Sequence, residues 1–128
     1  MRILIVDDDY VCRVKLKKHV SEYGDCDAVP GAEIAKEMIR ASDKESLYYD
    51  LFILDVNMPE TRGPELVQWI RSFEQDRGHL APAKILMVTS EENSKELMAS
   101  FREGGATLFL LKPFTMEKVK GIMQKLLA

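Results

Sequence analysis

Three carboxylates in a row, Asp7, Asp8 and Asp9, follow the apolar run 3–6, and another, Asp55, follows the apolar run 51–54. Two later apolar runs end in different chemistry. The run 85–88 leads into Thr89 and Ser90, and the run 108–111 leads into Lys112, Pro113 and Phe114. If the segments bearing Asp7, Asp8 and Asp55 are neighbours, like charges within about 4–6 Å disfavour joint ionisation, and the cluster calls for a cation. Oxygen donors without His or Cys suit magnesium or calcium rather than zinc. Magnesium binds through one or two carboxylates and keeps waters that phosphate oxygens can replace. Lys112 and Thr89 would then offer a second positive charge and a hydroxyl to a phosphoryl group. Stabilising charge on its equatorial oxygens is most of what phosphoryl transfer requires. A carboxylate can serve as the nucleophile and become an aspartyl phosphate.

Each of these residues also has a plainer reading. An Asp after a strand often caps the next helix, which is how we read Asp9. A lone Thr can be a cap and a lone Lys a solvated charge. Capping, however, does not call for a Lys at one strand end and carboxylates at two others. Other phosphate-binding devices are missing: neither Gly-x-x-x-x-Gly-Lys nor Gly-x-Gly-x-x-Gly occurs, and the glycines are scattered. Cys12 and Cys26 have neither zinc-knuckle nor Cys-x-x-Cys spacing. Both are expected to be reduced and largely buried.

The elements that would position these residues follow from periodicity. The runs 3–6, 51–54, 85–88 and 108–111 are short, continuous and apolar, as suits strands buried on both faces. The run 26–29 is weaker and reads as an edge strand. Between them lie helical patterns: Cys12, Leu16, Val20 and Tyr23 with Gly24 as a stop; then Ile34, Met38 and Ile39. Pro64 opens a third helix carrying Leu66, Val67, Trp69, Ile70 and Phe73. Leu97, Met98 and Phe101 mark a fourth, closed by Gly104 and Gly105, and Met116, Val119, Ile122, Met123 and Leu126 a fifth. Strand and helix alternate five times, which predicts a doubly wound parallel α/β sheet with helices on both faces. A closed eight-stranded barrel would need about 250 residues. In an open parallel sheet, ligands bind beyond the carboxyl ends of the strands, where every candidate above falls.

The size agrees. A chain of 128 residues and 14.6 kDa suits one domain, and such a body buries roughly two-thirds of its unfolded surface. With 46% hydrophobic and 30% charged residues the composition is globular rather than disordered. No apolar run approaches the ~20 residues of a membrane span, and the N-terminus lacks signal-peptide features. A cytoplasmic protein without membrane insertion is expected. The net charge of -3 argues against direct nucleic-acid binding.

At this point the sequence resembles a response-regulator receiver domain of two-component signalling, over residues 3–127. The motifs occur in order: Ile5-Val6-Asp7-Asp8-Asp9, Leu54-Asp55-Val56-Asn57-Met58-Pro59, Val88-Thr89-Ser90 and Lys112-Pro113-Phe114. The resemblance implies a flavodoxin-like fold with strand order 2-1-3-4-5 and five helices, residues 1–128 being one receiver domain. It implies Asp55 as phosphoacceptor, and a magnesium ion held by Asp8 directly, Asp7 largely through water, Asp55 and the backbone carbonyl of Asn57. Thr89 matches the hydroxyl that contacts the phosphoryl group, Lys112 the lysine that pairs with it, and Phe109 the aromatic switch position.

This chain departs from the pattern in places. Phe109 lacks the hydroxyl of the Tyr that chemotaxis regulators carry, and Ser90 narrows access where Ala or Gly is commoner. Asn57 and Glu91 match positions that favour hydrolysis of the acyl phosphate in chemotaxis-type members, so a short-lived phosphorylated state is expected. The stretches 42–50 and 76–84 are longer than in compact members. We read them as loop insertions, with a partner contact through Tyr48, Tyr49 or His79 as the sharper alternative. His19 reads as a packed structural histidine, and Arg13, Lys15, Lys17 and Lys18 as a solvated helix face. Val11, Val14 and Pro113 match positions that dock the histidine phosphodonor.

The expected function is a signalling switch, not a turnover enzyme. A histidine kinase or histidine phosphotransfer protein donates to Asp55, and the fourth helix, fifth strand and fifth helix then repack to meet a downstream protein not named by the sequence. The chain's end at Ala128 suggests a single-domain regulator or a phosphorelay shuttle, an excised domain of a longer protein being the alternative. Two other functions are kept open. One is a phosphorylation-independent interaction module, although the acidic pair, acceptor and lysine are all present. The other is an aspartate-nucleophile phosphohydrolase, which would want Asp-x-Asp after its first strand, whereas here Asn57 stands two residues after Asp55 on the third.

Overall fold

The computed structural model describes residues 1–56, 58, 62–79, 81–90 and 105–128. Strands β1 (Arg2–Val6), β2 (Asp25–Val29), β3 (Leu51–Asp55), β4 (Lys84–Ser90) and β5 (Leu108–Lys112) form one parallel sheet in the order 2-1-3-4-5. Four α-helices are described: α1 (Tyr10–Val20), α2 (Ala32–Lys44), α3 (Gly63–Asp76) and α4 (Met116–Leu127). The helix expected around 97–101 lies outside the described residues, so α4 answers to the fifth of the sequence reading. This is the expected doubly wound, flavodoxin-like arrangement.

Strand alternation divides the core in two. Ile3, Ile5, Ile53, Leu86, Val88 and Leu110 face Leu16 and Val20 of α1 and Val119 and Met123 of α4. Leu4, Val6, Phe52, Leu54, Ile85 and Met87 face Ala35 and Ile39 of α2 and Leu66 and Ile70 of α3. Every residue of β3 is buried, as a central parallel strand covered on both faces requires.

Several local expectations change. Ile34 is exposed, because α2 turns Ala32, Ala35, Ile39 and Ser42 inward, a stripe from which position 34 is offset. Met116 is likewise exposed at the start of α4. Cys12 is buried, but Cys26 only half-buried, since β2 is an edge strand. Gly24 follows a 3-10 turn (Ser21–Tyr23) in extended conformation, and a Cβ there would lie 2.1 Å from the Met1 carbonyl oxygen. Close approach, not a left-handed cap, demands that glycine.

The two long connections pack on each other, and α2 itself runs to Lys44. His79 Nε2 lies 3.2 Å from Asp43 Oδ1, and the Tyr48 and His79 rings are 4.4 Å apart. Tyr49 is not the surface contact considered above: it is buried, and its hydroxyl donates to Asp27 Oδ2 at 2.7 Å. No helix among the described residues is long and apolar enough to cross a membrane.

Candidate functional site

Side-chain alternation carries the site. Positions 3, 5 and 7, positions 51, 53 and 55, and positions 108, 110 and 112 run along the α1/α4 face. Asp7, Asp55 and Lys112 therefore reach the carboxyl edge of the sheet on one side. Asp7 and Asp55 are buried and Asp8 is exposed. One carboxylate oxygen from each of the three lies within 4.8 Å of the others. The Lys112 ammonium is 3.4 Å from Asp7 Oδ2 and 3.6 Å from Asp55 Oδ1. Burial acts against the charge on Lys112, but the carboxylates of Asp55 and then Asp7 outweigh it and hold its pKa above the ordinary value.

The turn after β1 is fixed from both sides. Asp7 donates its N–H to the Val29 carbonyl at 3.1 Å, and its Oδ1 accepts from the Asp9 N–H at 2.9 Å. Asp9 caps α1 as expected, accepting from the Val11 N–H at 2.9 Å. Arg13, one turn into α1, donates to the Asp7 carbonyl at 2.7 Å. Across the site, α3 comes so close to β3 that a Cβ on Gly63 would stand 2.8 Å from the Asp55 carbonyl oxygen. Arg13 and Gly63 belong to the architecture of the site, and the sequence reading missed both. A glycine just before the helix-opening Pro64 was the one available signal.

The donor set fits a small hard cation. Asp7 Oδ2 is buried and accepts no hydrogen bond among the described residues, Lys112 being its ionic neighbour. Among the described residues, three carboxylates against one ammonium leave negative charge over, and oxygen donors at this spacing suit magnesium. Cys12 lies beside Asp7, but burial and then that carboxylate push its thiol up to about 12, so it stays protonated and offers no soft ligand.

Thr89 is buried near the end of β4, one residue beyond Val88, the register partner of Asp55. It shares a face of the β4–β5 pair with Phe109, which is half-buried, lies opposite Met87 and packs against the α2/α3 core. Asn57 and Glu91 lie outside the described residues.

Beside the site is a shallow groove of about 460 Å³ between the start of α1 and the β5–α4 connection. Val11 and Pro113 line it, and Val14, although exposed, does not. Lys15 lines it too, donating to the Phe114 carbonyl at 2.9 Å. Arg13, half-buried, thus departs from the solvated face expected of it, while Lys15, Lys17 and Lys18 stay exposed. His19 packs edge-on against Phe114, with centroids 6.3 Å apart.

A doubly wound parallel sheet with acidic residues at two strand ends and a lysine at a third defines a receiver-type α/β protein. Residues 3–124 match the response regulator receiver domain, and the chain belongs to that family. It is 34% identical over 99% of its length to the response regulator MprA of Mycobacterium avium. It is 33% identical over 98% of its length to the peroxide stress-activated histidine kinase mak3 of Schizosaccharomyces pombe. The chain spans 51% of the first relative and 5% of the second. Among solved structures, the chemotaxis protein CheY4 of Vibrio cholerae is similar, with a TM-score of 0.79 and 28% identity over 98% of this chain and 97% of that one. Receiver domains of response regulators serve phosphorylation-dependent two-component signalling with histidine kinases, and are signalling domains rather than turnover enzymes.

Proposed function

We propose that residues 1–128 act as one receiver domain that takes a phosphoryl group onto Asp55 from a phosphohistidine of a kinase or phosphotransfer protein. An Asp55 carboxylate oxygen attacks phosphorus. The new bond is O–P, the bond broken is P–N, and the imidazole nitrogen leaves with the electron pair and takes up a proton. Asp8 and Asp55 would hold a magnesium ion, with Asp7 acting through water and the Asn57 backbone carbonyl completing the set. Bound there, the ion supplies positive charge to the transferring oxygens. Lys112 neutralises the acceptor side and stays with the phosphoryl oxygens after transfer. Thr89 donates its hydroxyl to them.

The observation that carries this reading is the placement of one ammonium within ion-pair distance of both Asp7 and Asp55, inside a cluster of three carboxylates. A cluster that only capped helices would have no use for it. The switch would run through Thr89 and Phe109. A phosphoryl group can shift that equilibrium only by contacting the two states differently, and Thr89 is the group able to do so. The downstream surface is then the one around β5 and its neighbouring helices. Asn57 and Glu91 would shorten the phosphorylated state by holding water. A cytoplasmic location without direct nucleic-acid contact accords with the acidic balance.

The test is intact mass after incubation with magnesium and phosphoramidate, beside Asp55→Asn. One magnesium-dependent phosphoryl group on the wild type and none on the variant is expected. Equal uptake by the variant removes Asp55 as the acceptor.

A further inference from the structure

Phe114, in the β5–α4 connection, is held from α1 by two residues one turn apart. The Lys15 ammonium donates to the Phe114 carbonyl at 2.9 Å and lies 4.9 Å from the centre of its ring. His19 meets the same ring edge-on, with the planes at 78°. The connection they grip begins at Lys112, whose ammonium lies 3.6 Å from Asp55.

His19 is a peculiar clamp residue. Both of its ring nitrogens are out of solvent and neither has a hydrogen-bond partner among the described residues. The charged groups acting on it are Lys15 and Lys18, from its own helix. The β5–α4 connection opposes it with an uncharged phenyl ring. Packed along α1, α4 turns Val119, Met123 and Leu126 inward and keeps Glu117, Lys118, Lys120 and Lys125 exposed. The 3-10 turn and β2, which also pack on α1, carry Glu22, Asp25 and Asp27, but among the described residues the charges that act on His19 are the two lysines. Burial first, and then the two lysines, hold the His19 pKa below its ordinary value. The residue as a whole is only half-buried, so a rotamer change takes a protonated ring to water and off Phe114.

We propose that His19 is a proton-sensitive positioning residue: neutral, it clamps Phe114 together with Lys15 and fixes the connection that carries Lys112; protonated, it swings out and loosens that connection. The inference deepens the reading of Asp55 as phosphoacceptor and rests on it. Acid releases the clamp and neutral pH sets it, so phosphoryl acceptance weakens with acid through a group outside the acceptor pocket.

The chain has two histidines, His19 and His79, so an NMR titration of the wild type from about pH 8 to about pH 5 resolves them directly. His19 is expected to titrate below the ordinary imidazole value. The ring signals of Phe114 are expected to follow the same curve, while those of Phe52, in the opposite core, do not. Phe114 signals that ignore the titration overturn the clamp, whatever becomes of the phosphorylation chemistry. The second measurement compares the rate of acceptance from phosphoramidate with magnesium in the wild type and in His19→Phe, since the donor's own pH dependence cancels in the ratio. The two rates should agree near pH 8, and the wild type should fall behind by up to about tenfold per pH unit below the His19 midpoint. A ratio constant with pH reduces His19 to packing and overturns the positioning role. No acceptance by either protein at any pH removes Asp55 as acceptor instead, and the titration alone then decides the clamp.

Discussion

Lys112 reaches Asp55 across an intervening strand: its ammonium lies 3.6 Å from Asp55 Oδ1, although β4 separates β5 from β3. The same ammonium lies 3.4 Å from Asp7 on the far side, beyond the end of β1. One flexible cation thus closes the carboxyl edge of a sheet whose neighbouring strand ends are acidic. A lysine suits this place because its charge is compact and its stem long, whereas a guanidinium would demand planar, forked acceptors.

Replacing Lys112 by Met should separate metal binding from chemistry. Removing a positive charge from among carboxylates should leave magnesium affinity unchanged or tighter, as titration calorimetry would report. Phosphoryl acceptance should nevertheless slow by about 10²-fold, the usual loss when one preorganised charge is taken from a transferring group. If affinity and rate fall together, the lysine does no more than hold the site in shape.

Without a divalent cation, the carboxylates of Asp7, Asp8 and Asp55 repel across less than 4.8 Å. Asp8, the exposed member, can be neutralised without opening a cavity. Asp8→Asn should therefore melt higher than the wild type in chelator. Magnesium at about a hundred times its dissociation constant should add about 2.7 kcal/mol to the wild type, roughly 10 °C in Tm for a chain of this length. The variant should lose most of that gain. An equal gain in both proteins would place the ion elsewhere.

The strands were legible because central parallel strands need continuous apolar runs, and the site because ligand chemistry gathers where such runs end. Asp7, Asp8, Asp55 and Lys112 could be grouped on that ground alone. What escaped was contact between side chains and distant backbone. Arg71 donates to the carbonyls of Ala83 and Gly105 and to Glu74, tying α3 to the starts of β4 and β5. Arg13 does the same for the Asp7 carbonyl. Such bonds leave no period in a sequence. Alanine stripes also carry little weight, which is why the apolar period of α2 points to Ile34 while Ala32 and Ala35 are what the helix buries.

Tyr49 makes the alkaline limb of stability readable. Burial, and then its hydrogen bond to Asp27, push its phenol from 10.0 to about 12. The folded state thus keeps the proton that the unfolded chain gives up. Its contribution is whole below pH 10, and is lost as pH rises from there through about 12. Urea unfolding across that window should show the decline, and Tyr49→Phe should flatten it. At neutral pH the same variant should cost about 1–2 kcal/mol, because Asp27 loses its donor. A curve as steep in Tyr49→Phe as in the wild type would assign the titration to another group.

Two glycines at helix starts separate contact from chain flexibility. At Gly63 a Cβ would meet the Asp55 carbonyl oxygen and the Met87 methyl at 2.8 Å and the Val56 Cα at 3.0 Å. The methionine can yield, but the two backbone atoms cannot without shifting the end of β3. At Gly31 nothing lies within 4 Å, the backbone is extended, and the N-cap of α2 carries no side-chain acceptor. Gly63→Ala should cost about 1–3 kcal/mol through overpacking, and should slow acceptance at Asp55 by displacing its backbone. Gly31→Ser should instead gain about 0.3 kcal/mol by offering its hydroxyl to the first turn. Unfolding curves and acceptance rates for the pair decide the matter. Loss of stability with unchanged acceptance in Gly63→Ala would mean that α3, not β3, moves aside. Equal effects at both glycines would mean that the close approach at Asp55 has no special weight.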